Sequence, residues 1–299
     1  KRIFEEQLQR LQTDYIDFYL LHAVNKEKWE DMKALGVVDY CARLKEEGKI
    51  RYYGFSFHDD YEVFDEIIHY RDWDFCQIQY NYMDENSQAG RAGLQAAAAR
   101  RLPVIIMEPL RGGKLVNLLP EGARRLFRES ERGWSAAEWA LRWLWDQPEV
   151  TVVLSGMNTM EMVAENCRIA DQARPGTLGE AERALFETVK GAINEKIKVG
   201  CTGCGYCMPC LKGVDIPGAF RCYNARYTEG FYTGMKEYFM CTTLRGQRSN
   251  ASQCVKCGRC EAHCPQGIHI REELDHVKRV LEGPVYAVAK GVTHLLGRF

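Results

Sequence analysis

The sequence predicts an α/β chain: an incomplete (β/α)8 barrel of the TIM type, about five βα units long, followed by a smaller and mainly α-helical domain. Three observations lead there. Five short runs rich in β-branched and aromatic residues alternate with helix-period segments between residues 1 and 175. No GxGxxG fingerprint follows any of these runs, so a doubly wound dinucleotide fold lacks its usual signature. Of the 13 cysteines, ten fall between Cys201 and Cys264, which sets the carboxyl-terminal region apart.

The chain opens on a helical pattern, Ile3, Phe4, Leu8 and Leu11, and its first residue is Lys1, so further sequence is expected upstream. The five strands are expected at Tyr15–Leu21, Ile50–Phe55, Phe75–Tyr80, Val104–Met107 and Val150–Leu154. Each is mostly apolar, as strands are when helices cover one face and a packed interior the other. Gly48 stops the first long helix. Ser135 with Glu138 forms a capping box flanked by Trp134 and Trp139 as a hydrophobic staple, and Asn158 with Glu161 repeats the box after the fifth strand. The break Pro175–Gly176 divides residues 1–175 from 176–299, and Thr177 with Glu180 is expected to cap a connecting helix that runs towards Lys198. Helices are expected around Tyr223–Tyr238 and from Arg271 to Leu281, the latter with a stripe of Leu274, Val277 and Val280.

Composition narrows the function. With 299 residues, 46% hydrophobic and 27% charged, the chain has a globular balance. Forty basic against 41 acidic residues give a net charge of −1, so no overall field draws it to nucleic acid or an anionic membrane. Arg100–Arg101 and the acidic run from Glu27 to Asp31 read as solvated helix surface. Apolar stretches such as Leu102–Met107 are far shorter than the roughly 20 residues of a spanning helix, and no leader pattern opens the chain. These features predict a cytoplasmic protein. Ser155, Ser56 and His22 are too unconnected to suggest a hydrolytic triad.

The strongest chemical signal is Cys254-Val-Lys-Cys257-Gly-Arg-Cys260-Glu-Ala-His-Cys264-Pro265, with the CxxCxxCxxxCP spacing that holds iron–sulfur cubanes. Zinc commonly takes two CxxC pairs a dozen or more residues apart and has no use for a third and fourth cysteine this near. An upstream motif, Cys201, Cys204, Cys207 and Cys210, has one residue fewer before its last cysteine, which is followed by Leu211. Crossed ligation is therefore expected: Cys201, Cys204, Cys207 and Cys264 on one [4Fe-4S] cluster, and Cys254, Cys257, Cys260 and Cys210 on a second. The 43 residues between the motifs read as helical, which resembles the α-helical ferredoxin domains of respiratory iron–sulfur subunits. Cys222 and Cys241 are left over and are expected to be small buried hydrophobes.

His22 ends the first strand on the same face as Ile16, Phe18 and Leu20, which puts it at the carboxyl mouth of a barrel, where barrel active sites lie. The segment Leu11-Gln-Thr-Asp-Tyr-Ile-Asp-Phe-Tyr-Leu-Leu-His22 resembles the fourth-strand signature of the aldo-keto reductases. Gly48-Lys-Ile-Arg-Tyr-Tyr-Gly-Phe-Ser56, Gln77-Ile-Gln-Tyr-Asn81, Glu108-Pro-Leu-Arg-Gly-Gly113 and Ser155-Gly156 through Glu165-Asn166 resemble later strands of that family in order, over residues 1 to about 171. The resemblance implies that His22 polarises a substrate carbonyl, that Ser56 and Gln77 hold a nicotinamide carboxamide, and that Glu165 and Asn166 contact the adenine. Met107 stands where the family stacks an aromatic on the nicotinamide; its polarizable sulfur can also cover a ring. Gly156 and Met162 occupy the places of the basic residues that grip the 2′-phosphate of NADP, leaving Arg168 or Arg174 as substitutes. The family's catalytic tyrosine, lysine and aspartate come from strands expected upstream of Lys1.

Together these features predict an oxidoreductase of aldo-keto reductase type, with NADP or NAD as cofactor, a small aldehyde or ketone as substrate and two [4Fe-4S] clusters. Nicotinamide delivers two electrons as hydride and a cluster accepts one, so the clusters are expected to serve a one-electron redox protein partner. The competing expectation is a non-catalytic, nucleotide-binding redox sensor or electron-transfer protein.

Overall fold

The computed structural model describes residues 2–201, 203, 205–244, 247–264 and 266–295, with side chains through residue 291. The chain divides into two compact units, Lys1–Val116 with Ser130–Phe186, and Asn117–Glu129 with Glu187–Phe299. Its elements run α1 (Arg2–Leu11), β1 (Ile16–Val24), α2 (Lys26–Ala34), α3 (Val37–Glu46), β2 (Ile50–Phe57), α4 (Tyr61–Tyr70), β3 (Phe75–Gln79), α5 (Gly90–Ala99), β4 (Val104–Met107), α6 (Lys114–Asn117), α7 (Glu121–Arg128), α8 (Ala136–Trp145), β5 (Val150–Val153), α9 (Met160–Gln172) and α10 (Glu180–Asn194). Then follow α11 (Ile216–Thr228), α12 (Phe231–Tyr238), α13 (Arg259–Ala262), α14 (Ile270–Leu281) and α15 (Pro284–Leu295). Among the described residues no helix is long and apolar enough to cross a membrane.

The five strands form one parallel sheet in the order β1-β2-β3-β4-β5. Sequential order distinguishes a barrel-type succession of βα units from a doubly wound sheet, whose order reverses at a switch point. Side chains alternate between two faces. On one, Tyr53, Phe55 and Phe57 are buried beside Phe64 of α4 and Trp73, with Phe55 5.0 Å from the Trp73 ring and 5.9 Å from Phe64. The other is the inner face, where register aligns Phe18 with Tyr52, Leu20 with Gly54, Gly54 with Phe75, and Ser56 with Gln77. Phe18 stacks on Tyr52 at 4.9 Å and meets Phe75 edge-on at 5.6 Å. This face was expected to be a filled interior, but Phe18, Tyr52 and Val152 are 60%, 47% and 42% exposed. Five strands do not close a barrel, which accounts for the exposure of this face.

Helix ends follow local chemistry, with two departures from the sequence reading. Ser135 caps α8 by accepting from the Glu138 N–H at 3.0 Å, and Trp134 lies 4.6 Å from Trp139, so the staple forms as expected. Helix α9 is capped by Thr159, whose hydroxyl accepts from the Met162 N–H at 3.3 Å, rather than by Asn158. The first helical residue is Met160, which places Thr159, another good capping residue, at the cap. Ahead of α10, Thr177 turns back to donate to the Arg174 carbonyl, and the Glu182 carboxylate takes the Gly179 N–H at 2.9 Å.

In the second unit α11, α12 and α14 surround a core of Ile216, Phe220, Tyr238, Leu274, Val277 and Leu281. A Cβ on Gly234 would come within 2.6 Å of the Arg226 backbone nitrogen, so the α11–α12 approach requires glycine. Beyond α12 the chain makes a π-helical turn, Phe239–Thr243. Tyr238 ties the region together by donating to Glu282 at 2.5 Å and accepting from the Ala251 N–H at 2.7 Å.

Candidate functional site

At the carboxyl ends of the strands, the inner face carries the first candidate site. His22 is exposed, and its Nδ1 stands 3.5 Å from the hydroxyl of Ser56, which is 1% exposed. That hydroxyl also accepts from the Ala23 N–H at 2.8 Å, so β1 and β2 fix its position. One strand further, Gln77 donates to the Met107 sulfur at 3.4 Å. Thus Ser56 and Gln77 stand level on β2 and β3, His22 reaches Ser56 from β1, and Met107, level with Gln79 on β4, reaches Gln77 through its sulfur. On α9, Asn166 donates to Ser155 beyond β5 at 3.0 Å, and Glu165 accepts from Ser135 at 2.6 Å.

The loops at this mouth are held by Asn81, which is fully buried. Its amide donates to Asp84 and to the Glu108 carbonyl at 3.0 and 3.1 Å, and its oxygen accepts from the Met83 and Asp84 N–H groups. Sequence reasoning missed His58, two residues past Ser56. Burial and then the neighbouring His22 push its imidazole below the ordinary range, against the opposing influence of Gln88. The strand's period of two could have pointed to it.

Both substitutes for a phosphate clamp have other partners. Arg168 pairs with Glu138 at 2.8 Å, and Arg174 donates to the Asp171 and Ala173 carbonyls at 2.8 and 2.6 Å. Glu138, 5% exposed, also pairs with Arg142 at 2.8 Å. Burial pushes this carboxyl up, but Arg168 and Arg142 outweigh it and hold it below its ordinary value.

The second candidate site gathers the cysteines. Asn224 of α11 binds the chain just before the first motif, accepting from the Lys198 and Val199 N–H groups at 2.9 and 3.0 Å and donating to the Val199 carbonyl at 2.7 Å. The second motif is fixed by Glu261, which accepts from the Arg271 N–H at 2.8 Å and from its guanidinium at 2.9 Å. Lys256, at φ 58°, turns its N–H towards the Cys254 sulfur at 3.4 Å.

Two cavities result. One, of about 350 Å³, is lined by Cys254, Cys257 and Cys260 together with Cys210 and Cys207. The other, much smaller, is lined by Cys201, Cys207 and Cys264. The last cysteine of each motif thus lies with the first cysteines of the other, while Cys207 borders both. Cys204 and Pro265 lie outside the described residues. No three described His, Cys, Asp or Glu residues converge on a point for a single metal ion. A cubane does not require that, since each of its irons takes one thiolate. The donor set, all thiols with apolar walls such as Ile216 and Leu274, fits such a cluster. Cys222 is buried as expected, whereas Cys241 is only partly so, and their sulfurs stand 3.5 Å apart.

A parallel sheet of successive βα units in sequential order, with polar side chains at its strand ends, defines a barrel-type α/β domain. The aldo/keto reductase family profile matches residues 1–174, and the chain belongs to that family. A 4Fe-4S dicluster domain matches residues 200–269. The chain is similar to the uncharacterized oxidoreductase YqkF of Bacillus subtilis (strain 168), 29% identical over 191 residues, or 58% of this chain. It spans 61% of that relative's length. Among solved structures, the holo form of aldo-keto reductase AKR11C1 from Bacillus halodurans matches with TM-score 0.52 at 25% identity, over 63% of this chain and 65% of that one. The apo form gives TM-score 0.49 at 26% identity, over 63% and 66%.

Proposed function

We propose that this chain belongs to an NAD(P)H-dependent oxidoreductase that reduces an aldehyde or ketone and holds two [4Fe-4S] clusters for exchange of single electrons with a redox protein. The observation that carries the reading is the crossing of the cysteines: Cys210 beside Cys254, Cys257 and Cys260, and Cys264 beside Cys201 and Cys207. In the barrel unit, His22 polarises the carbonyl, Ser56 and Gln77 hold the carboxamide, Met107 covers the ring, and Glu165 and Asn166 meet the adenine. When bound, a reduced nicotinamide supplies hydride and a cubane takes one electron, so the clusters serve a separate one-electron partner.

The test is a titration of the anaerobic, cluster-loaded chain with NADH and NADPH, followed by fluorescence. With Arg168 and Arg174 committed elsewhere, both should bind within about tenfold of each other, a difference of roughly 1.4 kcal/mol. Ser56→Ala should weaken both. Absence of binding contradicts the barrel half of the reading, and absence of acid-labile sulfide contradicts the cluster half.

A further inference from the structure

The surface around the larger cysteine cavity differs from the rest of a chain whose net charge is −1. Tyr206, Leu211 and Val255 line it and are 68%, 66% and 58% exposed, and Met208 beside them is 37% exposed. Large apolar side chains left open together mark interaction sites. The charge beside them has one sign. Lys212 and Arg259 line the same cavity, both are exposed, and neither forms an ion pair among the described residues. No Asp or Glu is among the described lining residues. Cys257 is the exposed thiol of the set.

We infer that this face docks an acidic one-electron carrier protein, whose carboxylates meet Lys212 and Arg259 while its redox centre approaches Cys257 across the apolar patch. The inference rests on reading these cysteines as cluster ligands. One electron crosses the interface, so one centre is oxidised by one electron and the other reduced by one, with no bond made and no proton moved. Opposite charge at the rim steers encounter, and apolar contact at the centre excludes water. A phosphate-bearing ligand would need several convergent donors, which two separate exposed cations do not supply.

The experiment mixes the full, anaerobically loaded and reduced chain with an acidic [2Fe-2S] ferredoxin, or with basic cytochrome c, in stopped flow. The ferredoxin rate should fall at least about tenfold on raising the salt, and the cytochrome c rate should not. Lys212→Glu with Arg259→Glu should slow ferredoxin about tenfold at low salt and speed cytochrome c, with iron content unchanged. Arg279→Glu on α14, outside the lining of this cavity, should leave both rates as they were. Rates indifferent to the double reversal, or a ferredoxin rate indifferent to salt, would overturn the proposal. So would a shift in midpoint potential at constant association rate, because the two cations would then serve to balance cluster charge. A loaded cluster without charge dependence removes the docking surface alone, whereas a chain without sulfide removes the cluster reading as well.

Discussion

At the residue scale, each cysteine has a distinct expected consequence. Cys260→Ala should leave about four of about eight irons, since it deprives one cubane of a ligand, and iron analysis checks this. Cys222→Ala should keep all of them and lower stability by about 1 kcal/mol through lost packing, read by denaturant unfolding. Loss of iron in that variant would make Cys222 a ligand. Glu138 is the comparable residue in the barrel unit. Removing its charge as Glu138→Gln strands Arg142, which is 12% exposed, while Arg168, 47% exposed, regains water. The expected cost is therefore about 2 kcal/mol, below the 3–5 of a fully buried pair. Its folded pKa is depressed, so its stabilisation is complete above the ordinary value of 4.5 and lost as pH falls through the lower folded value. The variant should accordingly lose that part of the acid limb of the stability profile, which pH-dependent unfolding would reveal.

At the scale of elements, the sheet depends on one glycine. A Cβ on Gly54 would lie 2.4 Å from the Phe75 carbonyl oxygen and 2.8 Å from its ring. Because the obstacle is partly backbone, repacking cannot relieve it, and Gly54→Ala should cost about 2–3 kcal/mol, measured as a lowered unfolding midpoint. All five strands were legible in the sequence, since each combined β-branched or aromatic residues with a following helix signal. Caps were less legible. Asn158 and Thr159 are both good capping residues, and only the backbone decides which stands one residue before the helix. Helix α15 went unread because its buried Tyr286 packs on Tyr238 and Phe239, both distant in sequence, and gives no local periodic signal.

For the whole molecule, the cysteine spacing made the two thiol-lined cavities legible, whereas the approach of His58 to His22 depends on the pairing of β1 with β2, which no local pattern states. The fold divides the functions as it divides the chain: polar side chains at strand ends in one unit, thiols between helices in the other. If clusters hold the second unit together, chelation should unfold its helices while the parallel sheet persists, giving two separate transitions by circular dichroism. The central claim is that each cubane draws on both cysteine motifs. Iron and sulfide analysis of the double variant Cys201→Ala with Cys210→Ala tests it most directly. Crossed ligation predicts that both clusters are lost, because one residue belongs to each. About four irons and four sulfides remaining per chain would mean that each motif binds its own cluster and would contradict the account.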